Sequence, residues 1–409
     1  MGDDFSIGAL LPLLTARELW VVGAVVVLGV LRPVGRLGWS VAGALLAGAI
    51  TAIVASAGPW LDAGLWLLLP WVVLAGLLAA TAAGSPLRWE PRSGPSAATA
   101  LLVGALVIHV GAAWHGRGGV LAEVAEAWGS GDLTAAQLGS DAAGPLAPAL
   151  AWLVSRVPGL DGAAAVAVLS LAAVALTVAA ASVLARSWGY TGTSRATAAA
   201  VAWAPPLLVA YGVAPGALLA CAALVWSWWA LAEVWAGRHL PDRMALLAGG
   251  LLGVAVGIGL WPLVVAPLWL RRLGGRKLGW FVVGFVAVMV VSVGALIPTQ
   301  VGLVDVWDAG VTLPAARWGI AVGWAAVPVV AALASVLRRV PFTPTRLSAV
   351  SGALLILTLP WWPDGWVLAG PVLATPFVLL AAVAPDRPQE RWPPDAPVNE
   401  EPAQVEAAS

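Results

Sequence analysis

The sequence predicts an all-α, polytopic integral membrane protein. Of its 409 residues, 61% are hydrophobic and 10% charged, and the apolar residues gather in runs near twenty long. An ordinary soluble domain carries about 25% charged residues. A bilayer core about 30 Å thick asks for about 20 apolar residues per helix. A soluble enzyme, a secreted disulfide scaffold and a nucleic-acid binder are therefore excluded. The single cysteine, Cys221, lies inside an apolar run, so the chain can form no internal disulfide or thiolate metal site.

Read in order, hydropathy gives about thirteen membrane segments: 17–33, 38–57, 61–83, 96–115, 162–185, 196–212, 217–236, 244–258, 260–270, 278–298, 318–337, 346–361 and 365–384. Asp3 and Asp4 stand where a cleavable signal peptide has basic residues, so none is expected. Arg32 and Arg36 close the first segment and set the N-terminus outside, because basic residues favour the cytoplasmic side. The stretch between Arg243 and Arg271 is either one long helix or a hairpin of two short ones. One helix would put Arg271 to Lys277 outside. A hairpin leaves 17 of the 21 basic residues inside, with only Arg17, Arg117, Arg156 and Arg317 outside, and is the reading taken. Two half-length helices need neighbours to shield them from lipid.

The formal net charge of zero then divides into an inner face with 17 basic and 9 acidic residues and an outer face with 4 and 12. Trp20, Trp39, Trp60, Trp114, Trp188, Trp235, Trp261, Trp280, Trp318 and Trp361 fall near segment ends, where indoles favour the headgroup zone. Residues 386–409, rich in Pro, Glu and Ala without apolar periodicity, are expected to be a disordered cytoplasmic tail.

Two outer loops are long enough to carry chemistry, His115 to Asp161 and Thr299 to Arg317. In the first, Val120, Leu121, Val124 and Trp128 form the apolar face of a short helix over Val120–Trp128, with Glu123 and Glu126 together on the other face. Gly129-Ser130-Gly131 ends it. Pro145–Val157 is apolar but too short to cross, and is expected along the membrane surface until Pro158-Gly159. Paired carboxylates there fit a general base, a divalent-cation ligand pair or a solvated helix face. His109, inside the fourth segment, is expected to be neutral and hydrogen-bonded to a neighbouring helix, and Glu233 to snorkel toward water. Charged residues are otherwise rare in the spans, which weighs against an ion-coupled transporter and leaves a carrier of a neutral or lipidic solute as a third reading.

The order of parts from 96 to 272 resembles the GT-C superfamily of polyprenyl-phosphate-dependent glycosyltransferases, in particular its actinobacterial mannosyltransferase-like branch. The resemblance rests on one span followed by a large outer loop with two surface helices. The first of these ends Glu126-Ala-Trp-Gly-Ser-Gly-Asp-Leu133, and the second opens Gly144-Pro-Leu-Ala-Pro148. Beyond them lie Trp203-Ala-Pro-Pro-Leu-Leu208, Tyr211-Gly-Val-Ala-Pro-Gly216 and the hairpin from Ala248 through Trp261-Pro262 to Arg272. The resemblance implies a GT-C-like membrane domain over 96–385 with its outer loop at 115–161, preceded by a three-span extension over 1–95.

It also implies a groove for a polyprenyl-phosphate sugar donor and transfer to a glycan or glycolipid acceptor, with a loop carboxylate as catalytic base. Glu123 and Glu126 are the candidates for that base. Arg117, Arg156 and Arg317 are candidates for the donor phosphate, and His115, Asp132, Asp141, Asp305 and Asp308 for acceptor or divalent-cation contacts. Three stretches where the family usually carries polar residues read Gly116–Val120, Gly212–Gly216 and Gly257–Trp261 here. That departure sets an alternative beside the transferase: a catalytically degenerate scaffold or membrane partner subunit of the same fold.

Overall fold

The structure is a computed structural model. It describes residues 16–34, 88–91, 95–115, 120–134, 144–188, 194–237, 240–271, 273–297, 299, 301–302, 344–357 and 369–383. The expected segments 38–57, 61–83 and 318–337, the long loop 303–317 and the tail 386–409 lie outside the described residues.

The described residues are helical apart from one short ribbon. Helix α1 spans Ala16–Val30 and runs into strand β1, Leu31–Val34, which pairs antiparallel with β2, Arg88–Pro91. In this register Arg32 stands opposite Glu90. An all-α reading leaves this pair out, because four-residue strands that each contain a proline carry no alternating pattern to read. Then follow α2 (Pro95–His115), α3 (Val120–Ser130), α4 (Leu146–Ser155), α5 (Gly162–Ser187), α6 (Ser194–Ala202), α7 (Pro205–Val213) and α8 (Pro215–Trp235). The chain continues as α9 (Pro241–Ile258), a 3₁₀ turn (Trp261–Val265), α10 (Ala266–Leu270), α11 (Gly275–Gly294), α12 (Pro344–Leu357) and α13 (Ala369–Val383). Among the described residues, α2, α5, α8, α9 and α11 are long and apolar enough to cross a membrane.

The stretch from 241 to 274 folds back on itself. Helices α9 and α11 lie side by side and parallel: Gly249 abuts the Phe281 carbonyl, Gly253 meets Phe285 and Val288, and Gly257 meets Ser292. Their first turns are joined by an ion pair, Arg276 to Asp242 at 2.9 Å. Two helices consecutive in the bundle can be parallel only if the chain between them returns. That return is the 3₁₀ turn and α10, entered through extended backbone at Gly259. The expected shielding is present, because Val265, Leu268 and Trp269 are fully buried and Trp269 donates its indole N–H to Ser351 Oγ of α12. The close approach of α9 and α11 uses missing side chains: a Cβ on Gly249 or Gly284 would collide with the facing backbone carbonyl of Phe281 or Leu246.

The expected segment 196–212 is instead broken into α6 and α7. Ala204 is extended, as the residue before a proline prefers, and Pro205 and Pro206 begin a new helix. In an unbroken helix the Ala202 carbonyl would accept from residue 206, which is proline and has no N–H.

The tryptophans divide into two populations. Trp114 and Trp280 are exposed near helix ends, as a headgroup belt requires. Trp20, Trp188 and Trp235, expected in that belt, are buried. The reason is volume. Helices this rich in alanine and glycine leave gaps that large rings fill, as where Trp228 lies 5.0 Å from Trp269, 5.3 Å from Trp235 and 6.2 Å from Phe377. Glu233, expected to snorkel, is also buried.

Candidate functional site

Charge is spread unevenly along the bundle, although Arg156 lies among the acidic residues and Glu233 and Asp242 among the basic ones. Arg186 at the end of α5, Arg195 in α6, Arg243 in α9, Arg271 after α10, and Arg276 and Lys277 in α11 lie at one end. Glu123, Glu126, Asp132 and Asp161 lie at the other. At this acidic end α3 and α4 form a cap over three membrane helices. Trp128 donates its indole N–H to the Ala295 carbonyl at 2.8 Å, satisfying a group that the C-terminus of α11 leaves without a helical donor. Gly144 sits against the last residues of α9, where a Cβ would lie 2.5 Å from the Gly257 carbonyl oxygen. The Glu126 carboxylate lies over Gly162 in the first turn of α5, the positive end of that helix dipole. Asp161 caps the same turn by accepting from the Ala164 N–H at 2.6 Å.

Within the cap, α3 is the amphipathic helix expected, two residues longer at its C-terminus. Leu121 and Val124 are buried, Trp128 half-buried, and Glu123 and Glu126 exposed. It closes in a left-handed turn at Gly131 (φ 81°), with Gly131 N–H donating to Trp128 O and Asp132 N–H to Ala127 O. Helix α4 is no free surface helix, because Leu146, Ala147, Pro148 and Ala151 are buried against the bundle. The Trp128 and Trp152 rings meet edge to face at 4.9 Å, and the Arg156 guanidinium stacks on Trp152 at 4.4 Å. Gly129 permits this approach, since any side chain there would strike the Trp152 indole.

The candidate residues therefore fall into distinct positions. Glu123 is exposed on the cap, Glu126 sits at the start of α5, and Asp132 and His115 are exposed at the ends of α3 and α2. Arg156 lies on Trp152 and pairs with neither glutamate. Among the described residues no three His, Cys, Asp or Glu side chains gather as a metal site. Arg117, Asp141, Asp305, Asp308 and Arg317 lie outside the described residues.

A second polar cluster lies within the bundle. His109 is buried in α2, on the stripe that also buries Ala98, Ala105 and Ala113. Its Nε2 is 2.7 Å from the Ala202 carbonyl that Pro206 leaves without a helical donor. A carbonyl only accepts, so Nε2 carries the proton, and the Tyr211 hydroxyl donates to Nδ1 at 2.9 Å. Trp203, inside the break, donates to the Leu101 carbonyl at 2.8 Å, two turns along α2 from His109. The helix-to-helix hydrogen bonding expected of His109 is thus observed. Sequence reading missed its partners, although the spacing Ala202 to Pro206 marks which carbonyl needs a donor.

Comparison of the chain with protein-family models, with curated proteins and with solved structures finds no match in any of the three.

Proposed function

We propose that this protein is a GT-C-type membrane glycosyltransferase that moves a sugar from a polyprenyl-phosphate donor to a glycan or lipid acceptor. The acidic end faces away from the cytoplasm, with the N-terminus outside and the C-terminus inside a plasma membrane. One observation carries the reading: the α3–α4 cap is anchored on the ends of α5, α9 and α11 and holds Glu123 exposed beside them. A rigidly mounted carboxylate at the membrane surface suits a lipid-linked donor, whose tail stays among apolar helices while its phosphate meets water. Glu123 takes the proton of the acceptor hydroxyl as that oxygen bonds to the anomeric carbon. The bond from the anomeric carbon to the phosphate oxygen breaks, and the polyprenyl phosphate leaves with the electron pair. Arg156 pairs with the leaving phosphate; stacking on Trp152 occupies its face and not its N–H groups. Glu126 is assigned to positioning, because its carboxylate serves the first turn of α5.

The separation of Arg156 from both glutamates favours a second reading, a non-catalytic scaffold or partner subunit of the same architecture. Transfer of labelled sugar from polyprenyl-phosphate hexoses in proteoliposomes separates the two. The transferase reading expects activity in the wild type, loss in Glu123→Gln with the fold intact, and partial loss in Glu126→Gln. Full activity in Glu123→Gln removes that residue as the base. A wild type inactive with every such donor leaves the scaffold.

A further inference from the structure

The corner of the basic end where α9 and α11 begin combines charge with an uncovered apolar stripe. Arg243, Arg276 and Lys277 all belong to the two first turns that the Arg276–Asp242 pair holds together. Asp242 is the one acidic residue in these two turns, against the cations Arg243, Arg276 and Lys277, so the corner retains a cationic surplus. The Arg276 side chain is 77% exposed. The space is open as well: a Cβ added at Gly274, Gly275 or Gly279 would meet nothing within 4 Å.

Helical spacing then fixes what lies beneath the charge. Arg276, Trp280, Val283, Ala287 and Val290 follow one another at i, i+4, i+7, i+11 and i+14 on one face of α11, and all are exposed. Trp280, one turn from Arg276, marks headgroup depth, since indoles prefer that zone. A soluble anion has use for the cations alone. A phospholipid uses the whole stripe, with its phosphate at the cations, its glycerol region beside Trp280 and an acyl chain along the valines.

We propose that this corner is a binding site for an anionic phospholipid of the adjacent leaflet, its phosphate held by Arg243, Arg276 and Lys277 and an acyl chain lying along Trp280, Val283 and Val290. Basic groups near a membrane surface each strengthen attraction to anionic lipid about fivefold. The site is independent of the reaction at the opposite end.

The full-length protein is reconstituted in phosphatidylcholine bilayers, and electron paramagnetic resonance measures the immobilised fraction of spin-labelled phosphatidylglycerol against spin-labelled phosphatidylcholine. The expected result is a severalfold preference for phosphatidylglycerol that falls toward parity in Arg243→Gln/Lys277→Gln. The control Arg186→Gln/Arg195→Gln removes equal charge from the same end and keeps the preference. Lys277→Gln alone, expected to lose about half of the preference on a logarithmic scale, carries the test if the double variant does not fold. No preference in the wild type, or equal losses in both double variants, overturns the site. Displacement of phosphatidylglycerol by millimolar inorganic phosphate would identify a soluble-anion site instead and overturn the lipid assignment.

Discussion

Replacing His109 with phenylalanine keeps an aromatic ring of similar size in α2 and removes two hydrogen bonds at once. One is the 2.7 Å bond to the Ala202 carbonyl, and the other is the 2.9 Å bond from Tyr211. Side-chain hydrogen bonds between membrane helices average about 0.6 kcal/mol and reach about 1.7. Two of them set an expected loss of about 1–3 kcal/mol. Tyr211→Phe removes only the second and leaves His109 on Ala202, so it should cost about half as much. Unfolding by sodium dodecyl sulfate in bicelles, followed by circular dichroism, measures both variants against the wild type. The reasoning fails if His109→Phe is as stable as the wild type. It also fails if the two variants cost the same, since the Ala202 bond would then contribute nothing.

Gly249→Ala and Gly284→Ala should each destabilise by about 1–3 kcal/mol in the same assay, because the new methyl meets a facing backbone carbonyl. Gly294→Ala, where nothing lies within 4 Å, should be neutral or slightly stabilising. Trp128→Phe removes the anchor of the cap on α11 and should raise hydrogen exchange in α3 and α4 by about fivefold, the equivalent of one hydrogen bond, while α8 stays protected. Cys221 is fully buried, so cysteines introduced at exposed Ser130 and Arg195 report against a silent background. A membrane-impermeant maleimide on intact cells should label Ser130→Cys, and should label Arg195→Cys only after permeabilisation.

What could be read from the sequence depended on whether the signal was local. The bounds of α2 and α5 follow from hydropathy within two residues, and the return after Gly259 follows from the sidedness of Arg243 and Arg271. The break at Ala204 was also local, in Pro205-Pro206, but a run of apolar residues on both sides made 196–212 resemble one span. The ribbon of β1 with β2 joins residues more than fifty apart and leaves no local trace. At the acidic end, α3 and its two glutamates were legible from periodicity. The difference between those glutamates was not, because it arises from the position of Gly162 in a different helix. Likewise, whether a tryptophan faces lipid or fills a core depends on which small residues oppose it.

The parallel arrangement of α9 and α11 also bears on the order of assembly. The segment that returns between them is too short to be retained in a bilayer on its own merits, and its Trp269 takes its hydrogen-bond partner from Ser351, 82 residues later. During synthesis the newly made α9, its return and α11 must therefore wait as an unfinished group until α12 emerges. A chain truncated before residue 344 would leave that indole without Ser351 and the short returning segment without α12 beside it, which is the kind of defect that membrane quality control removes.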